Sequence, residues 1–333
     1  MKKLIALVMA AMMLLSLAAC GGTTGPTNAA DNNSNIAADE SWTIGICQLV
    51  QHPALDAATE GFKDAVVEAL GESNVTFMDE NASGDAANCT SIMNSFVSAD
   101  VDLIMANATP AVAAAYNATE IIPILGTSVT EYGVALGLDD FSGTVGGNVS
   151  GTSDLAPLDT QAQMILDWVP EAKNVALLYS STEPNSQYQV DKVQEYLEAK
   201  GITCQQFAFS DASNMNAVTQ SAADFADAVY IPTDNTAATY ATAIDEICRG
   251  AKIPVIAGEA GIAQNCAIAT LSIDYYDLGY KTGEMAVAIL RDGADISTME
   301  IQYTPEEKLQ YLYNEDICKD LGIEPLEGYE KLS

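Results

Sequence analysis

Short apolar runs alternate with stretches of helical period along most of the chain. Thr43-Ile44-Gly45-Ile46-Cys47-Gln48-Leu49 reads as a strand, and a helix follows from about Ala54 to Leu70. Val75 to Met78 is the next strand, with a helix over Asn88 to Ala99. Asp102 to Ala106 leads to a helix opened by Thr109-Pro110, where proline suits the first turn because its missing N–H has no helical partner there. Ile122-Pro123-Ile124-Leu125 closes this set, and Gly143 to Asp154, rich in Gly, Ser and Asn, reads as a connection.

The order then restarts. Asn174 to Tyr179 is a strand, a helix runs from Ser186 to Lys200, Thr203 to Phe207 is a strand, and Met215 to Ala223 is helical. Asp227-Ala228-Val229-Tyr230-Ile231-Pro232 matches the Asp102 strand, and Ile253 to Glu259 matches the proline-centred strand of the first half. Strands separated by helices imply parallel sheets built from βαβ units. The expected fold class is α/β, with two doubly wound parallel-sheet lobes joined by a multi-strand hinge. Ligands of open parallel sheets bind beyond the carboxyl ends of the strands, so the cleft between lobes is the expected site. Ala267 to Leu290 reads as a strand and helix returning to the first lobe, and Glu300 to Tyr303 as a strand returning to the second. The expected lobes are therefore 42–150 plus 267–293, and 151–266 plus 294–333. Repeated crossings make a hinge.

The N-terminus changes the picture. Met1-Lys2-Lys3 precedes an apolar run from Leu4 to Ala19, which has the form of a secretory signal. Leu17-Ala18-Ala19-Cys20 resembles the lipobox of bacterial lipoproteins, which implies cleavage before Cys20, a diacylglycerol on its thiol, and membrane attachment outside the cytoplasm. Residues 1–20 are the expected signal, and 21–41, poor in large apolar side chains, a flexible tether.

The formal net charge is −33. Such a chain lacks the basic surface that phosphate binding needs, so nucleic acid is excluded as a partner. The two arginines, Arg249 and Arg291, sit near predicted helix ends, where a cation complements the helix dipole. Apart from Cys20 there are six widely spaced cysteines, compatible with free thiols or with bridges. His52 is the only histidine, so zinc ligation and His-based nucleophilic catalysis lack their parts. Gly146-Gly147 lies in a connection rather than between a strand and a helix, so no dinucleotide fingerprint is present. No enzyme activity, cofactor or metal is expected.

Several stretches carry a family resemblance: Ile44 to Gln48 with His52-Pro53-Ala54-Leu55-Asp56, Asn148 to Asp154, Tyr179 to Ser186, Tyr230 to Thr236, and Ile273 to Gly279. In that order they resemble the solute-binding lipoproteins of ABC importers, of the tryptophan/tyrosine-binding type with the type 1 periplasmic-binding-protein fold. The resemblance spans essentially all of 42–333. It implies a monomer that closes around an aromatic amino acid and delivers it to ABC permease subunits. A sugar or other small solute, or a sensory role for the same fold, are the alternatives.

An amino acid needs donors for its carboxylate, acceptors for its ammonium and room for its side chain. Thr109, Thr127, Ser128 and Ser186 lie at strand ends or helix starts, where hydroxyls either hold a carboxylate or cap helices. Asp154, Asp234, Glu259 and Asp274 fall at the cleft-side ends of their segments and are candidates for the ammonium. Asn185 and Asn235 are further polar candidates, Asn235 also as a helix cap. Gln48 ends the first strand facing the cleft. For an aromatic ligand, His52 and Tyr275 are the expected neighbours, with Tyr188 and Tyr276 behind them.

Overall fold

The computed structural model describes residues 41–332; the expected signal, Cys20 and the expected tether up to residue 40 lie outside them. The first half runs β1 (Trp42–Gln48), α1 (Pro53–Leu70), β2 (Val75–Asn81), α2 (Ala86–Ser98), β3 (Leu103–Asn107), α3 (Thr109–Ala118), β4 (Ile124–Val129), α4 (Tyr132–Leu136) and β5 (Val149–Ser153). The second half runs α5 (Leu158–Trp168), β6 (Asn174–Ser180), α6 (Pro184–Ala199), β7 (Thr203–Phe209), α7 (Ala212–Phe225), β8 (Ala228–Ile231), α8 (Asn235–Ala251), β9 (Val255–Ala257), α9 (Ala260–Cys266) and β10 (Ala269–Ser272). The chain ends with α10 (Tyr275–Leu290), β11 (Gln302–Tyr303), β12 (Gln310–Tyr313), α11 (Glu315–Leu321) and β13 (Glu330–Lys331).

One sheet has the order β11-β5-β4-β3-β1-β2 and the other β13-β12-β10-β9-β8-β6-β7. Each contains the same five-strand parallel core, and in each the central strands are buried along their whole length. Both faces of such strands are covered by helices, which is why they read as continuous apolar runs. Separate apolar clusters fill the two lobes, around Met93, Phe96 and Ile104 in the first and Leu177, Val193 and Leu271 in the second.

The structure differs from the sequence reading at the crossings. The supposed connection at Gly143 to Asp154 contains β5, a fully buried strand of the first sheet. Its hydroxyls look like linker chemistry but are satisfied internally: Ser150 Oγ donates to Met299 O at 3.1 Å, and Ser153 Oγ to Thr130 O at 2.8 Å. Residues 151–153 therefore belong to the first sheet. β10 stays in the second sheet, parallel to β9, and only α10 returns to the first lobe, against α1. β11 joins the first sheet beside β5, anchored by Ile301 N to Gly143 O at 2.7 Å; β12, antiparallel to β10, makes the return to the second. The three crossings fall after β5, after β10 and after β11.

Helices α1 and α10 meet almost backbone to backbone. A Cβ on Gly279 would stand 1.9 Å from Ala58 O, and one on Gly61 2.2 Å from Tyr276 O. Only glycine permits that approach. It fixes the N-termini of both helices, where His52 and Tyr275 sit, relative to each other.

Candidate functional site

The residues that follow the strand ends of both lobes converge on one enclosed space of about 10 Å³. His52, Leu55, Ser128, Thr130, Asp154 and Tyr275 face it from the first lobe and its crossings; Asn185, Thr233, Asp234, Asn235, Ala238 and Glu259 face it from the second. Such a volume holds about one water-sized group. The lobes join directly across it, with His52 Nε2 3.2 Å from Asn235 Oδ1.

The acids there are not equivalent. Asp234 caps α8, accepting from Ala237 N at 2.7 Å, while its other oxygen accepts from Ser180 N at 2.7 Å. Glu259 caps α9 with both oxygens, one on Gly261 N and one on Ile262 N, each at 2.6 Å. Asp154 has one oxygen held by the Tyr275 hydroxyl at 3.0 Å, and its Oδ1 has no partner. Burial pushes Asp154 up to about 6, with Glu259 adding to the rise while the Tyr275 and Thr130 hydroxyls oppose it. Burial and then the neighbouring Glu183 carboxylate raise Asp234. Burial also raises Glu259, against the pull of His52.

Asp154 Oδ1 shares this condition with other atoms around the space. His52 Nδ1, Ser128 Oγ and Asn185 Oδ1 are also buried and without a hydrogen-bond partner. Buried polar atoms are nearly always satisfied, so their gathering around one space makes it the candidate site. Ser128 is held at φ 53° in the register break between Gly126 and Val129, a left-handed backbone that costs a non-glycine residue about 1 kcal/mol.

Other sequence-predicted residues fall elsewhere. Gln48 is buried in a network with Asp56 and Thr59 that ties β1 to α1. Thr109 is buried in the first turn of α3 and Thr127 bonds Thr152 at 3.2 Å; neither lines the space. Ser186 lies one layer behind, 3.5 Å from Thr233 O. Asp274 is exposed and caps α10 through Asp277 N at 3.1 Å. Tyr276 is exposed and bonds Asp64. Tyr188 lines a groove of about 660 Å³ along the hinge with Leu155 and Tyr303; that groove is larger than the cleft space but gathers no unpartnered polar atoms. Arg249 and Arg291 pair with Asp245 and Asp292 at helix ends. The six described cysteines are free thiols.

Sequence reasoning missed Thr130, Thr233 and Glu183. Glu183, buried just before Pro184, accepts from Asn235 Nδ2 at 2.7 Å and from Thr236 N at 2.8 Å. Its position within the Tyr179 to Ser186 stretch was the available signal. Among the described residues no group of His, Cys, Asp and Glu is placed to hold a metal, and no helix is long and apolar enough to cross a membrane.

Two doubly wound lobes and three crossings define a type 1 periplasmic-binding-protein fold. The chain belongs to the ABC transporter substrate-binding protein family, whose model matches residues 43–330. It is 35% identical to a tyrosine-binding protein of Clostridioides difficile, over 98% of this chain and 94% of that one. Among solved structures, it is similar to an ABC domain from Streptococcus pneumonia in complex with L-Trp, with 29% identity, TM-score 0.81, and 86% and 97% of the two chains covered. It is also similar to the ligand-free, open structure of a substrate-binding protein with adhesive properties from Clostridium difficile, with 38% identity, TM-score 0.67, and 88% and 100% covered.

Proposed function

We propose that this chain binds tyrosine or tryptophan between its lobes, outside the cytoplasm, and hands it to the permease of an ABC importer. The observation that carries the reading is the ring of unpartnered buried polar atoms contributed by both lobes to one cleft. The tyrosine-binding relative and the L-Trp complex support the aromatic side chain. In this reading the amino acid's ammonium enters the inner space. Its ring lies toward an outer groove of about 620 Å³ that shares Asn235 with that space and carries Leu49, Val50, Pro110 and Tyr240 on its walls. The lobes part to admit ligand and close on it, so ligand shifts the population toward the closed arrangement. A lipid on Cys20 would hold the protein at the membrane surface beside its permease.

Calorimetric titration of the purified protein with the common amino acids, with sugars and with nucleosides tests this. Binding confined to tyrosine, tryptophan and phenylalanine is expected; binding of a sugar or nucleoside alone would sink the ligand class and leave the fold untouched.

A further inference from the structure

Hydrogen-bond accounting at the inner space goes beyond a general amino-acid site. Asn185 donates its Nδ2 to Thr233 O at 3.1 Å. A carbonyl only accepts, so the amide cannot be flipped and its unpartnered Oδ1 is an acceptor. Asn235 donates its Nδ2 to Glu183 at 2.7 Å, so its Oδ1 accepts, and the His52 Nε2 facing it at 3.2 Å must carry the proton. With Asp154 Oδ1, the residues lining the space therefore offer unpartnered acceptors from both lobes. Ser128 Oγ can either donate or accept. This inventory matches an ammonium, which has three donors and no acceptor. The space of about 10 Å³ is also of ammonium size.

Seats for an anion are scarce by comparison. No lysine or arginine lines the space. The N-terminal N–H groups of α8 and α9, natural anion sites, already serve Asp234, Glu183 and Glu259. What remain are α1 and α6, whose first turns have no side-chain cap and begin at Pro53 and Pro184; a helix dipole alone favours an anion by less than about tenfold.

We propose that the cleft recognises its ligand through the ammonium group, seated on Asp154, and therefore also takes aromatic amines that lack the carboxylate. This rests on the amino-acid reading above and narrows it.

The test pairs each amino acid with its decarboxylated and its deaminated counterpart. Titrations of the purified protein would compare tyrosine, tyramine and 3-(4-hydroxyphenyl)propanoate, then the tryptophan series, then leucine with 3-methylbutylamine. The amines should bind within about tenfold of their amino acids, and the deaminated acids at least roughly 100-fold more weakly, because a charge-assisted contact is lost and buried acceptors are stranded. Asp154→Asn should weaken tyrosine and tyramine alike, by roughly 100-fold. Amino acids that bind while their amines are more than about 100-fold weaker would overturn the inference and leave the amino-acid function standing. Leucine and its amine binding alike, with no aromatic ligand bound, would support the ammonium seat and remove the aromatic reading. Silence across all series would overturn both.

Discussion

The two lobes share a five-strand order but secure their cleft edges by different means. In the second lobe the work is done by acidic side chains: Asp234 and Glu259 cap the helices they precede, and Glu183 binds the first N–H groups of α8. In the first lobe α1 and α3 have no side-chain cap, α2 and α10 are capped by the exposed Asp85 and Asp274, and α1 is held by glycine-mediated contact with α10. The lesson is that facing a cleft and being available to a ligand are separate properties. The second lobe's acids are committed to its own backbone. Asp154, at the crossing between lobes, keeps an oxygen free.

The largest effect should come from breaking the glycine contact. Gly279→Ala drives a Cβ to 1.9 Å from the Ala58 carbonyl, so α10 must shift away from α1, a strain of about 3 kcal/mol. Urea unfolding should show that loss, with weaker ligand binding because His52 and Tyr275 move apart. Gly250→Ala, in α8 with nothing within 4 Å of the new methyl, should instead stabilise by about 0.5 kcal/mol. Equal, small effects at both positions would remove the distinction drawn for the first lobe.

Next in size is the contrast among the acids themselves. Asp234→Ala strands the N–H groups of Ser180 and Ala237 and should cost about 2 kcal/mol of stability in ligand-free protein. Asp154→Asn should cost none, since it replaces a carboxylate that burial already disfavours. Should Asp154→Asn prove as destabilising as Asp234→Ala, Asp154 would be a structural group like the others.

Much of this plan is legible along the chain, because a buried parallel strand needs a run of apolar residues and a helix needs its period. Four strands of each core follow from that, and β10 too reads as a strand, though one assigned to the other lobe. β5 escapes, since Val149-Ser150-Gly151-Thr152-Ser153 is buried through hydroxyl contacts to Met299, Thr282 and Thr130, which only the folded chain brings near. Asp274 and Asp154 look alike in sequence, each just after a strand. One turns to solvent and one is sealed under Tyr275, and no local pattern distinguishes them. Glu183 carries no local signal beyond the stretch it sits in; its partners Asn235 and Thr236 lie far along the chain. Position past a strand end is a local signal, but which oxygen stays free is a tertiary outcome.

Acidity probes the free oxygen directly. Folding raises Asp154 from 3.8 to about 6, so the folded state binds the extra proton. Stability from this group is therefore gained as pH falls from about 6 toward 3.8 and lost as it rises. Ligand affinity runs the other way, because an ammonium needs the ionised carboxylate. Affinity should fall by up to about tenfold per pH unit below the Asp154 midpoint, and binding near that midpoint should release a proton. Glu259, Tyr275 and Tyr132 are the titrating groups that sense Asp154, and His52 stands beyond Glu259. Asp154→Asn should flatten the profile if Asp154 sets it. A slope unchanged in that variant would assign the titration to Glu259.

The smallest effect should come at a side-chain bond that crosses the cleft. His52 Nε2 meets Asn235 Oδ1 at 3.2 Å, and a neutral hydrogen bond of this kind is worth about 1 kcal/mol. Because it exists only when the lobes are together, its loss should lower the closed population and act on release more than on capture. His52→Ala should therefore weaken tyrosine binding by about fivefold to tenfold, mostly as faster dissociation in stopped-flow fluorescence. His52→Gln can still donate to Asn235 but lacks the ring's packing, so it should fall between wild type and His52→Ala. If both variants slow association while leaving dissociation unchanged, the contact does not hold the lobes shut, and the first lobe's contribution to closure must come from the α1–α10 unit as a whole.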